Sequence, residues 1–223
     1  MKKQILFILV LFVCATALGQ NKGKEYYDLA VNYYFGIGGV EQDTKKFEKY
    51  FKKSLKEGYP PAQYDMGVNY VNGYGGYKQD YIKALEWFKK AAAQGHGDAS
   101  YKIAMIYSFG HGVPVDKSEA VKWYGKAAED GCDDAALDLA SMYYYGDGVE
   151  KDYNMALKWL KIAVDRGNRR AMGLIGLLYE TGGPGFEKDY NEAAKWYKMA
   201  SDKGDLESQI SLKRVRQILG PED

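Results

Sequence analysis

The sequence predicts an all-α protein: a right-handed α–α superhelix, or solenoid, of five helix-turn-helix repeats with a C-terminal capping helix. Three observations predict it. First, anchor residues recur in step. Asp43, Asp80, Asp116, Asp152 and Asp189 are spaced 37, 36, 36 and 37. Gly58, Gly95, Gly131, Gly167 and Gly204 keep the same spacings, as do Tyr50, Trp87, Trp123, Trp159 and Trp196. Tyr33, Tyr70, Tyr107, Tyr143 and Tyr179 run 37, 37, 36 and 36. Second, apolar residues between the anchors fall at helical spacing. Third, glycine-rich turns separate the helical stretches. One such helix pair cannot bury its apolar face alone, whereas a stack of pairs buries a continuous core.

Ahead of the repeats stands MKKQILFILVLFVCATALGQ. Lys2 and Lys3 precede an apolar run, Ile5 to Val13, too short to span a bilayer comfortably, and Ala17-Leu18-Gly19 fits a small-x-small cleavage site. This predicts a secretory signal peptide over 1–19 rather than a retained anchor. Phe12-Val13 before Cys14 departs from the Leu-small-small pattern of a lipoprotein signal. The mature chain, 20–223, is then a single solenoid domain, placed in the periplasm or secreted. The 31 basic residues less Lys2 and Lys3 leave 29 against 30 acidic ones, a net charge of −1. That balance gives no reason to expect nucleic acid or anionic lipid as the main partner, and no stable membrane insertion follows signal cleavage. With Cys14 removed, Cys132 stands alone, so the fold holds by packing rather than by intramolecular disulfides.

The third repeat shows the expected local structure. Its first helix is Ala99 to Phe109, with Ala99, Ile103, Ala104 and Tyr107 on one face. Gly110 and Gly112 suit a left-handed turn. Asp116 is placed to cap a second helix over about Lys117 to Glu129, whose buried face is Ala120, Trp123, Tyr124, Ala127 and Ala128. Small residues recur at one position of each second helix (Ala84, Ala120, Ala156, Ala193) and of each first helix (Gly67, Ala104, Ala140, Gly176). They predict close approach within a pair, with the Trp filling the gap between repeats. The repeats lie at about 25–60, 61–97, 98–133, 134–169 and 170–206, with a cap over 207–219.

The pattern A-x-x-x-[LIM]-[GA]-x-x-Y, then G-x-G-V, then D-x-x-x-A-x-x-W-x-x-x-A-x-x-x-G resembles the Sel-1-like repeat family, relatives of the tetratricopeptide repeats, over about Glu25 to Gly204. The first repeat departs from it, with Phe47 for Ala, Tyr50 for Trp and Ser54-Leu55 for the Ala pair, as a degenerate N-terminal cap would. The fifth, with TGGPGF, carries one extra residue before the turn. Leu206 to Leu219 resembles a further first helix, its outer side kept wet by Lys213, Arg214 and Arg216.

The resemblance implies a concave surface lined by the first helices. Carried over, its columns are Tyr27, Tyr64, Tyr101, Leu137, Gly173; Val31, Val68, Met105, Ser141, Leu177; Tyr34, Val71, Ser108, Tyr144, Glu180; and Phe35, Asn72, Phe109, Tyr145, Thr181. The candidate ligand-binding residues are Tyr27, Tyr34, Tyr64, Val68, Asn72, Tyr101, Met105, Phe109, Ser141, Tyr144 and Tyr145. Such a Tyr-rich surface offers apolar area plus a hydrogen bond at low entropy cost. An aromatic here also fills a seam between repeats, so the columns rather than any single Tyr form the candidate surface.

Catalysis needs unlike groups converging, and a repeat supplies like groups in rows. His96 and His111 lie in different connections, both read as solvated, with no zinc-ligand spacing around them. Cys132 lacks an indicated His partner and reads as a loop thiol open to intermolecular disulfide formation. There is no phosphate-binding G-x-x-x-x-G-K-[ST]. Some cysteine-rich relatives are described as penicillin-binding or β-lactamase-like. They carry a cysteine pair per repeat, which this chain lacks, along with S-x-x-K, S-D-N and K-T-G.

The reading is therefore a non-catalytic protein- or peptide-binding adaptor or scaffold of the bacterial envelope, without cofactor or metal. The alternative is a cell-wall or glycan-binding module, with a hydrolase as a third. N-terminal sequencing of the protein recovered from its source is expected to begin at Gln20; a sequence beginning at Met1 would refute cleavage.

Overall fold

The computed structural model describes residues 19 and 21–220, and the signal peptide expected over 1–19 lies outside them but for Gly19. Among the described residues there are eleven helices and no strand beyond one isolated bridge, Gly183 to Phe186. Helix α1 is described over 21–35. It is followed by α2 (Thr44–Lys56), α3 (Pro60–Asn72), α4 (Tyr81–Ala92), α5 (Gly97–Phe109) and α6 (Lys117–Glu129). Then come α7 (Asp133–Tyr145), α8 (Tyr153–Asp165), α9 (Arg169–Thr181), α10 (Tyr190–Asp202) and α11 (Leu206–Leu219). Odd-numbered helices open the repeats and even-numbered helices close them. The class is an all-α repeat superhelix. The chain forms two compact units that divide between Ala99 and Ser100.

Each closing helix begins where an Asp stops the chain from fraying. Asp43, Asp80, Asp116, Asp152 and Asp189 are extended at the N-cap, and each side chain accepts an N–H of the first turn. The distances run from 2.8 Å at Glu119 to 3.0 Å at Lys46. Four N–H groups at a helix start lack intrahelical partners, and each carboxylate satisfies one or two of them. The same Asp also reaches backwards. Its main-chain N–H donates to the carbonyl of Tyr33, Tyr70, Tyr107, Tyr143 or Tyr179, at 2.9 Å in all five repeats. One residue thus ties the end of one helix to the start of the next.

The tie holds although the connection varies. Tyr107 to Asp116 and Tyr143 to Asp152 span nine positions, whereas Tyr33 to Asp43 and Tyr70 to Asp80 span ten. The extra residue is absorbed by paired glycines in the left-handed region, Gly38-Gly39 and Gly75-Gly76, with φ between 64° and 81°. In these longer turns Gln42 and Gln79 donate to the carbonyls of Tyr34 and Val71, at 2.9 and 2.8 Å, satisfying helix ends left open. In the fifth repeat Gly183 and Phe186 exchange two main-chain bonds instead, at 2.8 and 3.0 Å.

Packing follows the small residues. The side chain that meets the small position is the residue after the Trp, while the Trp rings pack against the same core clusters. In the first unit a Cβ on Gly67 would stand 2.5 Å from the Phe88 ring, and in the second a Cβ on Gly176 would stand 2.6 Å from the Tyr197 ring. Phe88, Tyr124, Leu160 and Tyr197 are all buried, whereas Trp87, Trp123 and Trp196 are only half-buried. The reason is helical phase. Phe88 lies four residues after Ala84, on the same ridge, and Trp87 is turned towards the flank. Trp159 is the exception: it is buried, and its Nε1 has no hydrogen-bond partner.

The first repeat's departures also have reasons. Ser54 replaces an Ala, is fully buried, and donates to the Gly23 carbonyl at 2.7 Å. A Cβ on Gly23 would lie 2.8 Å from Tyr59 Cβ, so α1 meets the end of α2 through a glycine. The opening helix of the third repeat starts at Gly97, two residues before the expected Ala99.

Gly67→Ala and Gly176→Ala are each expected to destabilise the fold by about 1–3 kcal/mol, because the added methyl overlaps a buried ring. Asp116→Ala is expected to cost about 1 kcal/mol through the lost cap. Urea unfolding midpoints check all three; an unchanged midpoint in Gly67→Ala would show that Phe88 yields freely.

Candidate functional site

In the first unit the opening helices α1 and α3 bring several column residues together. Tyr27, Val31, Tyr34 and Phe35 of α1 and Val68 of α3 line one open groove of about 610 Å³. Phe47, Phe51, Asn69 and Tyr74 complete its walls, and Asp65 shares its lining with Tyr27. Tyr34 and Phe35 are 50% and 64% exposed, and their rings meet edge to face at 4.8 Å. Tyr34 also tilts against Phe47 at 5.1 Å, which holds it upright at the groove edge. Asn72 is exposed on the last turn of α3, and Asn69, one turn earlier, takes its place in the groove.

The first column behaves differently. Tyr27 donates its hydroxyl to Asp65 at 2.6 Å, and Tyr101 donates to Asp138 at 2.8 Å. Each bond links one repeat's opening helix to the next. Burial raises both phenols well above their ordinary range, and the bond to the carboxylate raises them further. Burial also raises Asp65 and Asp138 above the ordinary carboxylate value, against the pull of the Tyr hydroxyls. Tyr64 has no Asp at the matching place; Lys102 stands there. Tyr64 instead stacks on His96, with ring centroids 4.9 Å apart and planes 15° apart. His96 is thus half-buried rather than solvated, and its Nδ1 accepts the N–H of Ala99 at the start of α5. Burial lowers its pKa from 6.5, opposed by Asp98 and Asp65.

In the second unit Ser141, Tyr144 and Tyr145 line a small pocket of about 90 Å³ with Leu174 and Leu177. Tyr145 is 69% exposed and stands edge-on to Tyr144 at 4.9 Å. Phe109 is 59% exposed, with Lys117 Nζ 5.9 Å from its ring centroid, and Met105 is half-buried. Ser108, from the third column, is buried and receives Lys117 Nζ at 3.2 Å, so it offers nothing to a ligand. Where the first column reaches Gly173, a cavity of about 390 Å³ opens against α11. Beside it Glu180 accepts two bonds from Arg214, at 2.9 and 2.8 Å, and one from Tyr197 at 2.6 Å. Burial pushes Glu180 up, but these bonds outweigh it and its pKa falls below the ordinary value.

Sequence reasoning missed Asp65, Asp138, Asn69, Tyr74 and Leu174. Asp28, Asp65 and Asp138 follow the Tyr column by one residue in three repeats, a fifth periodic series that was available to find the seam acceptors.

Cys132 is buried at the N-cap of α7 rather than exposed in a loop, because the residue after each turn glycine folds inward to start the next helix. His111 is exposed, its ring 6.0 Å from Phe109. Among the described residues no group of His, Cys, Asp or Glu could hold a metal ion, and no helix is long and apolar enough to cross a membrane.

Comparison with known proteins agrees with this architecture. Residues 26–59, 60–96, 97–132, 133–168 and 169–205 each match the Sel1 repeat. The chain is similar to a protective antigen of uropathogenic Escherichia coli that displays an SLR fold: 36% identity, TM-score 0.75, over 85% of this chain and 40% of the antigen. It thus spans 40% of that antigen's length. It is also similar to a Sel1 repeat protein from Oxalobacter formigenes: 33% identity, TM-score 0.67, over 83% of this chain and 75% of that one. No curated protein matches the chain.

Asp138→Asn and Asp138→Ala are expected to separate the seam bond from its charge. Ionising Asp138 costs stability as pH rises above 3.8, because its folded pKa is raised. The amide accepts the Tyr101 hydroxyl without that cost, so Asp138→Asn should be at least as stable as wild type at pH 7. Asp138→Ala should lose about 1–2 kcal/mol through the orphaned hydroxyl. Thermal melts at pH 7 and pH 4 check both; equal losses in the two variants would refute the assignment.

Proposed function

The chain belongs to the Sel1 repeat family, and we propose that it is a non-catalytic adaptor of the bacterial envelope that binds an extended segment of a partner protein on its opening helices. Sel1 repeat proteins generally mediate protein–protein interaction and are generally non-catalytic, and protein partners follow from that. One observation carries the finer reading. In the first unit the exposed column residues Tyr34 and Phe35 border the same groove as Tyr27, Val31 and Val68. Apolar walls with a few polar groups on the floor suit a peptide whose side chains bury while its backbone finds Asn69 and Asp65.

The mechanism is burial of partner side chains between rigid aromatic walls. Tyr and Phe are already held by neighbouring rings, so binding orders few of their rotamers. Tyr27 and Tyr101 hold neighbouring repeats together, and Tyr64 is stacked on His96, so none of the three is the residue to remove in a test. The envelope location rests on the signal peptide expected over 1–19.

Photo-crosslinking from position 34 or 35 in the native source is expected to capture a partner that competes with a peptide from that partner's own sequence. Tyr34→Ala with Phe35→Ala, folded by circular dichroism, is expected to weaken that peptide at least about tenfold, as removal of two central aromatic anchors does. Unchanged affinity in the folded double variant would overturn the groove as the binding face.

A further inference from the structure

We propose that the outer face of α2 is a docking surface for an anionic phospholipid bilayer. The sequence of α2 is TKKFEKYFKKSLK. Its Lys45, Lys46, Lys49, Lys52, Lys53 and Lys56 less Glu48 give a net charge of +5. The closing helices of the other repeats, counted over their own bounds, carry +2 in α4, +1 in α6 and α8, and 0 in α10. The fold asks for no such charge, since the same element is built four more times without it. The overall balance of the chain conceals this concentration.

The charges share one side of the helix. Lys45, Lys49, Lys52 and Lys56 fall at i, i+4, i+7 and i+11, a stripe about 16 Å long. All six lysines are exposed, while Phe51 and Ser54 turn inward and are buried. Aromatic rings flank the stripe: Lys53 Nζ lies 5.0 Å from the Tyr26 ring centroid and Lys46 Nζ 4.9 Å from that of Tyr33. The acidic groups facing it are few. Asp43 meets Lys46 at 3.6 Å and Glu48 meets Lys52 at 3.7 Å. On α1, Asp28 is held by Lys24 at 2.6 Å.

The chemistry favours a bilayer over an acidic protein. Lysine ammoniums on flexible stems respond to charge density, and lack the planar fork with which arginine picks out a placed carboxylate or phosphate. A straight row of them on one rigid helix matches a flat anionic surface, with half-buried tyrosines suited to the interface. Such docking would hold an adaptor at a membrane while leaving its groove to a protein partner, and it stands whether or not the peptide reading holds.

The test is flotation of the protein with phosphatidylcholine vesicles, pure or containing about 30% phosphatidylglycerol, at low salt and at about 0.5 M salt. Wild type is expected to float with the anionic vesicles at low salt and to be released by salt. Lys45→Gln/Lys49→Gln/Lys52→Gln/Lys56→Gln should weaken binding at least about tenfold. Lys158→Gln/Lys161→Gln/Lys195→Gln/Lys198→Gln, which removes the same charge from α8 and α10, should leave it intact. Three outcomes overturn the proposal: equal loss in both variants, equal binding to pure phosphatidylcholine, or capture by soluble polyglutamate without capture by anionic vesicles. The last would assign the stripe to an acidic polymer instead.

Discussion

The structure depends on one repeated tie, in which an aspartate closes one helix and opens the next. Its N–H takes the Tyr carbonyl at 2.9 Å in every repeat, and its carboxylate caps the following helix. Both bonds satisfy main-chain groups that would otherwise be open at helix ends. Because they share one residue, the two helices of a repeat meet in the same register whatever lies between. That register brings Phe88 onto Gly67 and Tyr197 onto Gly176. An inserted residue in the connection is displaced into a glycine turn instead of altering the packing.

The tie leaves the opening helices to serve two purposes. One row of their side chains closes the seam between repeats, as Tyr27 and Tyr101 do through Asp65 and Asp138. The next positions, a fraction of a turn away, stand clear of the seam, as Tyr34, Phe35 and Tyr145 do. The first repeat departs furthest from the shared pattern. Phe47 replaces a small residue and becomes a wall of the groove, and the outer side of α2 is loaded with lysine. Departures from the repeat are thus where individuality enters this chain.

Local features were legible in the sequence. The capping aspartates, the turn glycines, the helix pairs and the cap helix over Leu206 to Leu219 all rest on interactions within a few residues of the chain. These are set by residue type and spacing. Features requiring a neighbour's identity were not legible. His96 and Cys132 occupy turns in the sequence, yet both start helices and turn inward, His96 because Tyr64 offers it a face. Nor was it legible that the residue after each Trp, rather than another side chain of the closing helix, meets the small position, as Phe88 and Tyr197 do.

The sequence by itself determined the repeat, its period, the bounds of the third repeat's two helices and of the last helix to within two residues, and the aromatic supply on the opening helices. Tertiary structure alone decided which aromatics are spent on seams and which face outward. A helix turns 100° per residue, so two adjacent tyrosines lie on different faces, and only the partner across the seam determines which face is covered. The same applies to charge. Composition reports its sum, but folding Phe51 and Ser54 inward is what collects the lysines of α2 on one exposed side.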